Sequence, residues 1–168
     1  MHARSATLPD AFAIEQLIQV HVGDGTLLPR SLAEICENIR DFIVVENAGE
    51  IVGCGALHLY GMHLAEIRSI TVDPAQQGGG GGKMLVKALL AQAKKHQVTC
   101  VCLFTRIPDF FARMGFTVAE HGDLPDKIHK DCYKCPRLYR CDEVPMIRGE
   151  LPTFAILPPP TNWLKIQA

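Results

Sequence analysis

The sequence predicts one mixed α/β domain, and three observations carry that expectation. Helical periodicity before about residue 41 gives way to alternating and continuous apolar runs after it. From about residue 65 the order becomes strand, glycine loop, helix, strand, helix, strand, as parallel crossovers require. The 168 residues suffice for a single domain with a good core and a small appendage.

Each element has a local cause. In "TLPDAFAIEQLIQVH", Thr7 is the N-cap, Pro9 stands in the first turn, Asp10 completes a capping box, and Leu17 and Ile18 supply the apolar face. "LLPRSLAEICENIRDF" is a second helix, capped by Ser31 with Glu34 three residues on, and Pro29 limits how early it begins. "FIVVE" and "IVGCGALHLY" read as strands joined by the Asn/Gly turn "NAGE", a hairpin signal. "AEIRSITV" is the next strand, its apolar positions interrupted by Glu66, Arg68 and Thr71. "KMLVKALLAQAKKH" is an amphipathic helix with Leu85, Val86, Leu89 and Leu90 on its apolar side. "VTCVCLF" is a buried strand, "PDFFARMG" a short helix closed by Gly115, and "FTVAE" the last strand. Beyond about residue 122 the periodicity weakens.

Composition excludes several classes. Apolar residues make up 48% and charged residues 21%, as in soluble globular proteins. A net charge of −1 without a basic block argues against a nucleic-acid partner. The N-terminal "MHARSATLPD" lacks an apolar signal region, and no apolar run approaches the roughly 20 residues of a membrane span. The expected location is cytoplasmic, with no membrane partner. Seven cysteines without a secretory signal do not suggest a disulfide framework, and Cys36, Cys54, Cys100 and Cys102 read as small buried hydrophobes.

The run "QQGGGGGK" over Gln76–Lys83 is the most informative segment. It joins a strand to a helix, the wrong place for a linker and the right place for an anion site at a helix N-terminus. A phosphate-binding P-loop is excluded, because Gln77 stands where its first glycine belongs and Met84 where its Ser/Thr belongs. A dinucleotide fingerprint needs an acidic residue about 20 positions on, and "TCVCLF" has none.

Gln77-x-x-Gly80-x-Gly82, preceded by "SITVDP" and followed by "FFARMGF", resembles the acyl-CoA pyrophosphate loop and downstream signature of the GCN5-related N-acetyltransferases (GNAT). "LLPRS", "AEIRSITVDP" and "LFTRIPDFFARMGF" running into "LPDKIHKDCYKCPRLYRCDE" are similar to the short bacterial N-acetylglutamate synthases. The resemblance implies a GNAT α/β (α+β) fold: a mixed central sheet of six to seven strands flanked by about four helices. The core would span 1–122, with a Cys-containing extension over 123–168 packed on the same domain.

The resemblance further implies acetyl-CoA as cosubstrate and L-glutamate as acceptor, in the first step of arginine biosynthesis. Cofactor contacts would come from Ile70, Thr71, Val72, Gln77, Gly78, Gly79, Gly80, Gly81, Gly82, Lys83 and Phe111. Gly79 and Gly81 exceed the pattern; relatives usually carry a basic and a branched apolar residue there, so Lys83 would supply the charge. Glu66 is the candidate base for the acceptor ammonium, its alternative being an ion pair with Arg68 or another cation. A backbone N–H near Ile70 would stabilise the oxyanion. Phe111 occupies the usual tyrosine position and has no proton to give the departing thiolate. A dicarboxylate calls for fixed cations, for which Arg30 and Arg68 lead, followed by Arg106, Lys127 and Ser69.

His129-x-x-Cys132-x-x-Cys135-x5-Cys141 offers enough ligands for a structural zinc, against the alternative of a packed loop whose thiols fill small spaces. Two other functions remain open: acetylation of another small amine or a protein N-terminus, and a non-catalytic acyl-CoA or amino-acid sensor. A homodimer is equally open.

Overall fold

The structure, a computed structural model, describes residues 1–23 and 25–161. The α/β class holds, with seven strands and five α-helices among these residues. The chain forms two compact units, Met1–His58 with Glu66–Gln97, and Leu59–Ala65 with Val98–Ala168.

The first unit carries strands β1 (His2–Ser5), β2 (Phe42–Asn47), β3 (Glu50–Gly61) and β4 (Leu64–Val72), in that order across the sheet. The tip of the β3–β4 hairpin, Leu59–Ala65, belongs to the second unit. Helices α1 (Ala11–Val22), α2 (Leu32–Glu37) and α3 (Gly81–Lys95) complete the first. α1 presents Ile14, Leu17 and Ile18, at helical spacing, to a core that also takes Ile35 and Ile39 with Phe42, Val44 and Ala56 of the strands. α3 buries Leu85, Val86 and Leu89. Glycines in β3 let it come close: a Cβ at Gly55 would stand 3.1 Å from Leu89 Cδ1. The Ser31–Glu34 capping box forms as the sequence predicts, with Glu34 N donating to Ser31 Oγ at 3.2 Å.

β1 escapes the sequence reading, because four residues with exposed ends give no usable alternation. It is held in register by Arg4, which donates to Glu46 Oε2 at 3.0 Å and, with both terminal nitrogens, to Asp10 at 2.8 and 3.0 Å. Asp10 also accepts from Thr7 N at 2.7 Å, so one buried carboxylate joins β1 to the start of α1.

The second unit carries β5 (Cys100–Thr105), β7 (Val144–Gly149) and β6 (Thr117–Val118) in that sheet order, both pairings antiparallel, with α4 (Pro108–Ala112) and α5 (Pro125–Lys130). Here the sequence expectation needs correction. "FTVAE" contributes only the two exposed residues of β6, and the longer final strand is β7, where Pro145 masks the strand signal. Gly115, at φ +84°, ends α4 as expected, with Phe116 N bonding back to Phe111 O at 3.1 Å. A buried pair anchors the segment after β7. His63 Nε2 lies 2.7 Å from Asp126 Oδ2, Asp126 Oδ1 accepts from Ile156 N and Leu157 N, and Phe154 stacks on the His63 ring.

Asp10 sets a pH dependence. The Arg4 guanidinium first, with Thr7 after it, holds its carboxyl down to about 2 from an ordinary 3.8, against the opposing effect of burial. Its stabilisation is therefore complete above about pH 4 and is lost as pH falls through about 2. Asp10→Asn should cost about 1–2 kcal/mol at pH 7, allowing for the partial exposure of Arg4, and should flatten the acid limb of stability below pH 4. Chemical denaturation across pH 2–7 measures both.

Candidate active site

Two structures in the first unit carry chemistry: the glycine loop and a polar pocket. The loop begins where β4 ends. Asp73 N donates to Val52 O at 2.9 Å, and Asp73 Oδ1 accepts from Ala75 N at 2.8 Å, starting a tight turn over Pro74–Gln76. Gln77 Nε2 reaches back to Val72 O at 3.3 Å, so this side chain braces the loop. Gly78 and Gly80 have φ of +85° and +88°, and a Cβ at either would meet nothing within 4 Å. Open space therefore lies over these two residues.

α3 starts at Gly81, two residues earlier than the apolar pattern suggests, with Gly80 as its N-cap. The first intrahelical bond is Met84 N to Gly80 O at 3.0 Å. The amides of Gly81, Gly82 and Lys83 precede it, and such first-turn amides have no partner within their helix. They head a helix of fifteen residues with aligned peptides, and the exposed Lys83 adds a full positive charge. That combination attracts anions. Gly79 and Gly81 are placed differently. A Cβ at Gly79 would lie 3.4 Å from Met1 Cε and one at Gly81 3.5 Å from Met1 Sδ, ordinary packing contacts that leave room for it.

The pocket lies between the α2 region and β4 and is open to solvent. Arg30, Glu34, Asn38, Asp41, Arg68 and Ser69 supply its polar lining, over Ile35, Phe42 and Ala56. Three residues selected from sequence as substrate ligands, Arg30, Arg68 and Ser69, thus meet in one cavity. Arg30 lies 3.8 Å from Glu34, a loose pair that leaves the guanidinium free to turn. Ser69 has φ +52°, a left-handed conformation in the middle of a strand that costs a non-glycine residue about 1–3 kcal/mol. Glu66, 3% exposed, stands two residues before Arg68 on β4 and so shares its strand face. Ile70, Thr71 and Val72 follow to the loop, and the Thr71 hydroxyl is buried without a hydrogen-bond partner among the described residues.

The sequence reading missed three pocket residues. Glu34 was legible only as a helix cap, Asn38 and Asp41 only as the end of a helix. Asp41 is half-buried, and burial pushes its carboxyl up while Arg68, Arg40 and His96 act against that rise.

The remaining candidates lie in the second unit. Arg106 pairs with Asp142 at 2.8 Å and Glu143 at 3.6 Å, and Lys127 with Asp131 at 3.0 Å. Phe111 is a buried ring set edge-on to Phe110 and Phe116. The zinc expectation is corrected: among the described residues no group of three or more His, Cys, Asp or Glu side chains could hold a metal. His129 Nδ1 instead bonds Leu157 O at 2.8 Å, and the Cys135 sulfur accepts from Arg137 N. Nor do the thiols fill a packed loop: Cys132 and Cys135 are only partly buried and Cys141 is exposed.

Known proteins resemble this chain in sequence and fold. A family model described as an acetyltransferase (GNAT) domain matches residues 38–118. An uncharacterized N-acetyltransferase of Chlorobaculum tepidum is 39% identical over 145 residues, 86% of this chain and 94% of that protein. An amino-acid acetyltransferase of Mycobacterium tuberculosis is 41% identical over 120 residues, 70% of this chain and 68% of its own. An M. tuberculosis protein solved in complex with CoA superposes with a TM-score of 0.77 at 32% identity, covering 90% of this chain and 100% of that one. N-acetylglutamate synthase of Neisseria gonorrhoeae, complexed with coenzyme A and N-acetyl-glutamate, gives 0.79 at 26% identity. That match covers 88% of this chain but 34% of the synthase.

Gly80→Ala tests the loop directly. A left-handed alanine costs about 1–3 kcal/mol, so the variant should lose stability by that order. Its affinity for CoA, measured by calorimetry, should fall severalfold.

Proposed function

Because this chain belongs to the GCN5-related N-acetyltransferase (GNAT) family, we propose that it transfers the acetyl group of acetyl-CoA to the α-amino group of L-glutamate. It is an acetyl-CoA-dependent amino-acid N-acetyltransferase; the acceptor and a place at the entry to arginine biosynthesis are what is proposed. One observation carries the choice of acceptor: Arg30, Arg68 and Ser69 line a single solvent-open pocket. Two guanidiniums suit two carboxylates, each bidentately. The likeness of the fold to a synthase solved with N-acetyl-glutamate supports the same reading.

The residues divide the work as follows. Backbone amides at the head of α3, with Lys83, hold the pyrophosphate of CoA over the space that Gly78 and Gly80 leave open. Acetyl-CoA supplies an activated thioester. Arg30, Arg68 and Ser69 fix the acceptor's carboxylates, which orients its amine. That amine arrives protonated, and Glu66, buried on the same strand face as Arg68, takes its proton directly or through a water. The left-handed Ser69 interrupts β4 just before Ile70, and the Ile70 N–H then serves the carbonyl oxygen as it gains charge. Phe111 has no proton to give, so the departing thiolate takes one from water.

Steady-state release of CoA thiol, with glutamate and a panel of other amines, tests the acceptor. Turnover confined to another amine overturns glutamate, and CoA binding without turnover on any amine supports a sensor. Arg30→Ala should raise the glutamate KM about tenfold or more, as loss of a charged hydrogen bond implies, with little change in the acetyl-CoA KM. Equal effects on both would remove Arg30 from the acceptor site.

A further inference from the structure

The acceptor pocket holds more acid than a dicarboxylate calls for. Arg30 and Arg68 account for two bound carboxylates, yet Glu34 and Asp41 add two negative charges to the same lining. Glu34 is committed: its Oε2 accepts from Ser31 N at 3.0 Å, and its Oε1 faces Arg30 at 3.8 Å. Asp41 is placed differently. It ends the short turn Ile39–Asp41, immediately before β2, and its own backbone N–H closes that turn on Asn38 O at 2.9 Å. That bond fixes the Asp41 backbone at the rim of the pocket that this residue lines.

The charged groups around Asp41 are Arg30 and Glu34 in the pocket lining, Arg40 beside it, Arg68 on β4 and His96 at the end of α3. Arg68, Arg40 and His96 act on it through charge, not through hydrogen bonds, and burial outweighs them, so the carboxyl is raised from its ordinary value. A half-buried carboxylate in that state gains from any cation that comes within hydrogen-bond reach. Glutamate brings such a cation along with its two carboxylates.

We infer that Asp41 receives the ammonium group of the acceptor, so that the pocket selects a zwitterionic amino acid over a dicarboxylate lacking the amine. The inference rests on the reading of this pocket as the acceptor site. It makes Asp41 a specificity-determining residue, distinct from Glu66, which takes the proton. It also explains why an under-compensated carboxylate is kept here: the fold is weakened at neutral pH and binding gains. A carboxyl raised in the folded state lowers stability as pH rises above its unfolded value, so removing the charge relieves the fold.

The test is titration calorimetry of the CoA-loaded full chain with L-glutamate and with glutarate, which lacks only the amine. The parent should prefer glutamate by about tenfold or more, the scale of one charged contact. In Asp41→Asn, glutamate should weaken by a similar factor while glutarate binds as before or tighter, and the melting temperature should not fall. Equal weakening of both ligands would mean that Asp41 only positions Arg68, and overturns the inference. An unchanged preference for glutamate, or a lowered melting temperature with both ligands lost, overturns it too. If a different amine is the acceptor, the same pair of titrations with that amine and its des-amino analogue decides Asp41 independently of glutamate. A parent that binds no amine at all overturns both readings.

Discussion

The left-handed backbone of Ser69 is the constraint on which the site depends. A regular β4 would alternate its side chains without interruption, and Arg68 and Ser69 would then face opposite ways. The positive φ breaks that alternation, and both residues line one pocket. A side chain in this conformation costs about 1–3 kcal/mol, which the surrounding packing must offset. Ile35, Ile39, Phe42 and Ala56 bury the floor beneath the pocket, and α3 buries Leu85, Val86 and Leu89. Within β4 the strain falls on Ser69 and the compensation is spread over many residues.

β4 also delivers the chain to the glycine loop, so one strand serves both halves of the chemistry. Its end is fixed by Asp73 N on Val52 O and by the Gln77 side chain on Val72 O. α3 in turn is set by close packing on β3, where Gly53 and Gly55 leave no room for a Cβ without displacement of Thr71 O or Leu89. Glycines thus act in two ways in this unit. In β3 they allow approach of a helix, and at Gly78 and Gly80 they allow a backbone that side chains resist.

The features most legible in the sequence were those with local causes. Capping at Ser31, the Gly115 helix end and the glycine loop each follow from a few adjacent residues and appear where expected. β1 and β7 were hidden, since β1 is too short for a period and β7 contains Pro145, and both are strands only through their partners. The cysteine tail misled in the opposite direction: its spacing suits a metal, but spacing says nothing of where a histidine's hydrogen bond goes, and His129 bonds a carbonyl. Asp41 carried no sequence signal at all. An acidic residue before a strand is commonplace, and only the cavity reveals that Arg68 and Arg30 share its surroundings.

The Met1 side chain lies beside the loop, within ordinary contact distance of a Cβ placed at Gly79 or Gly81. A first methyl at either loop position would therefore pack on residue 1 without displacing it, and trimming Met1 would remove that contact. Their substitutions should consequently be non-additive, and among descendants of this sequence the two sites should change together. The excess glycines thus border a residue some eighty positions away at the start of the chain.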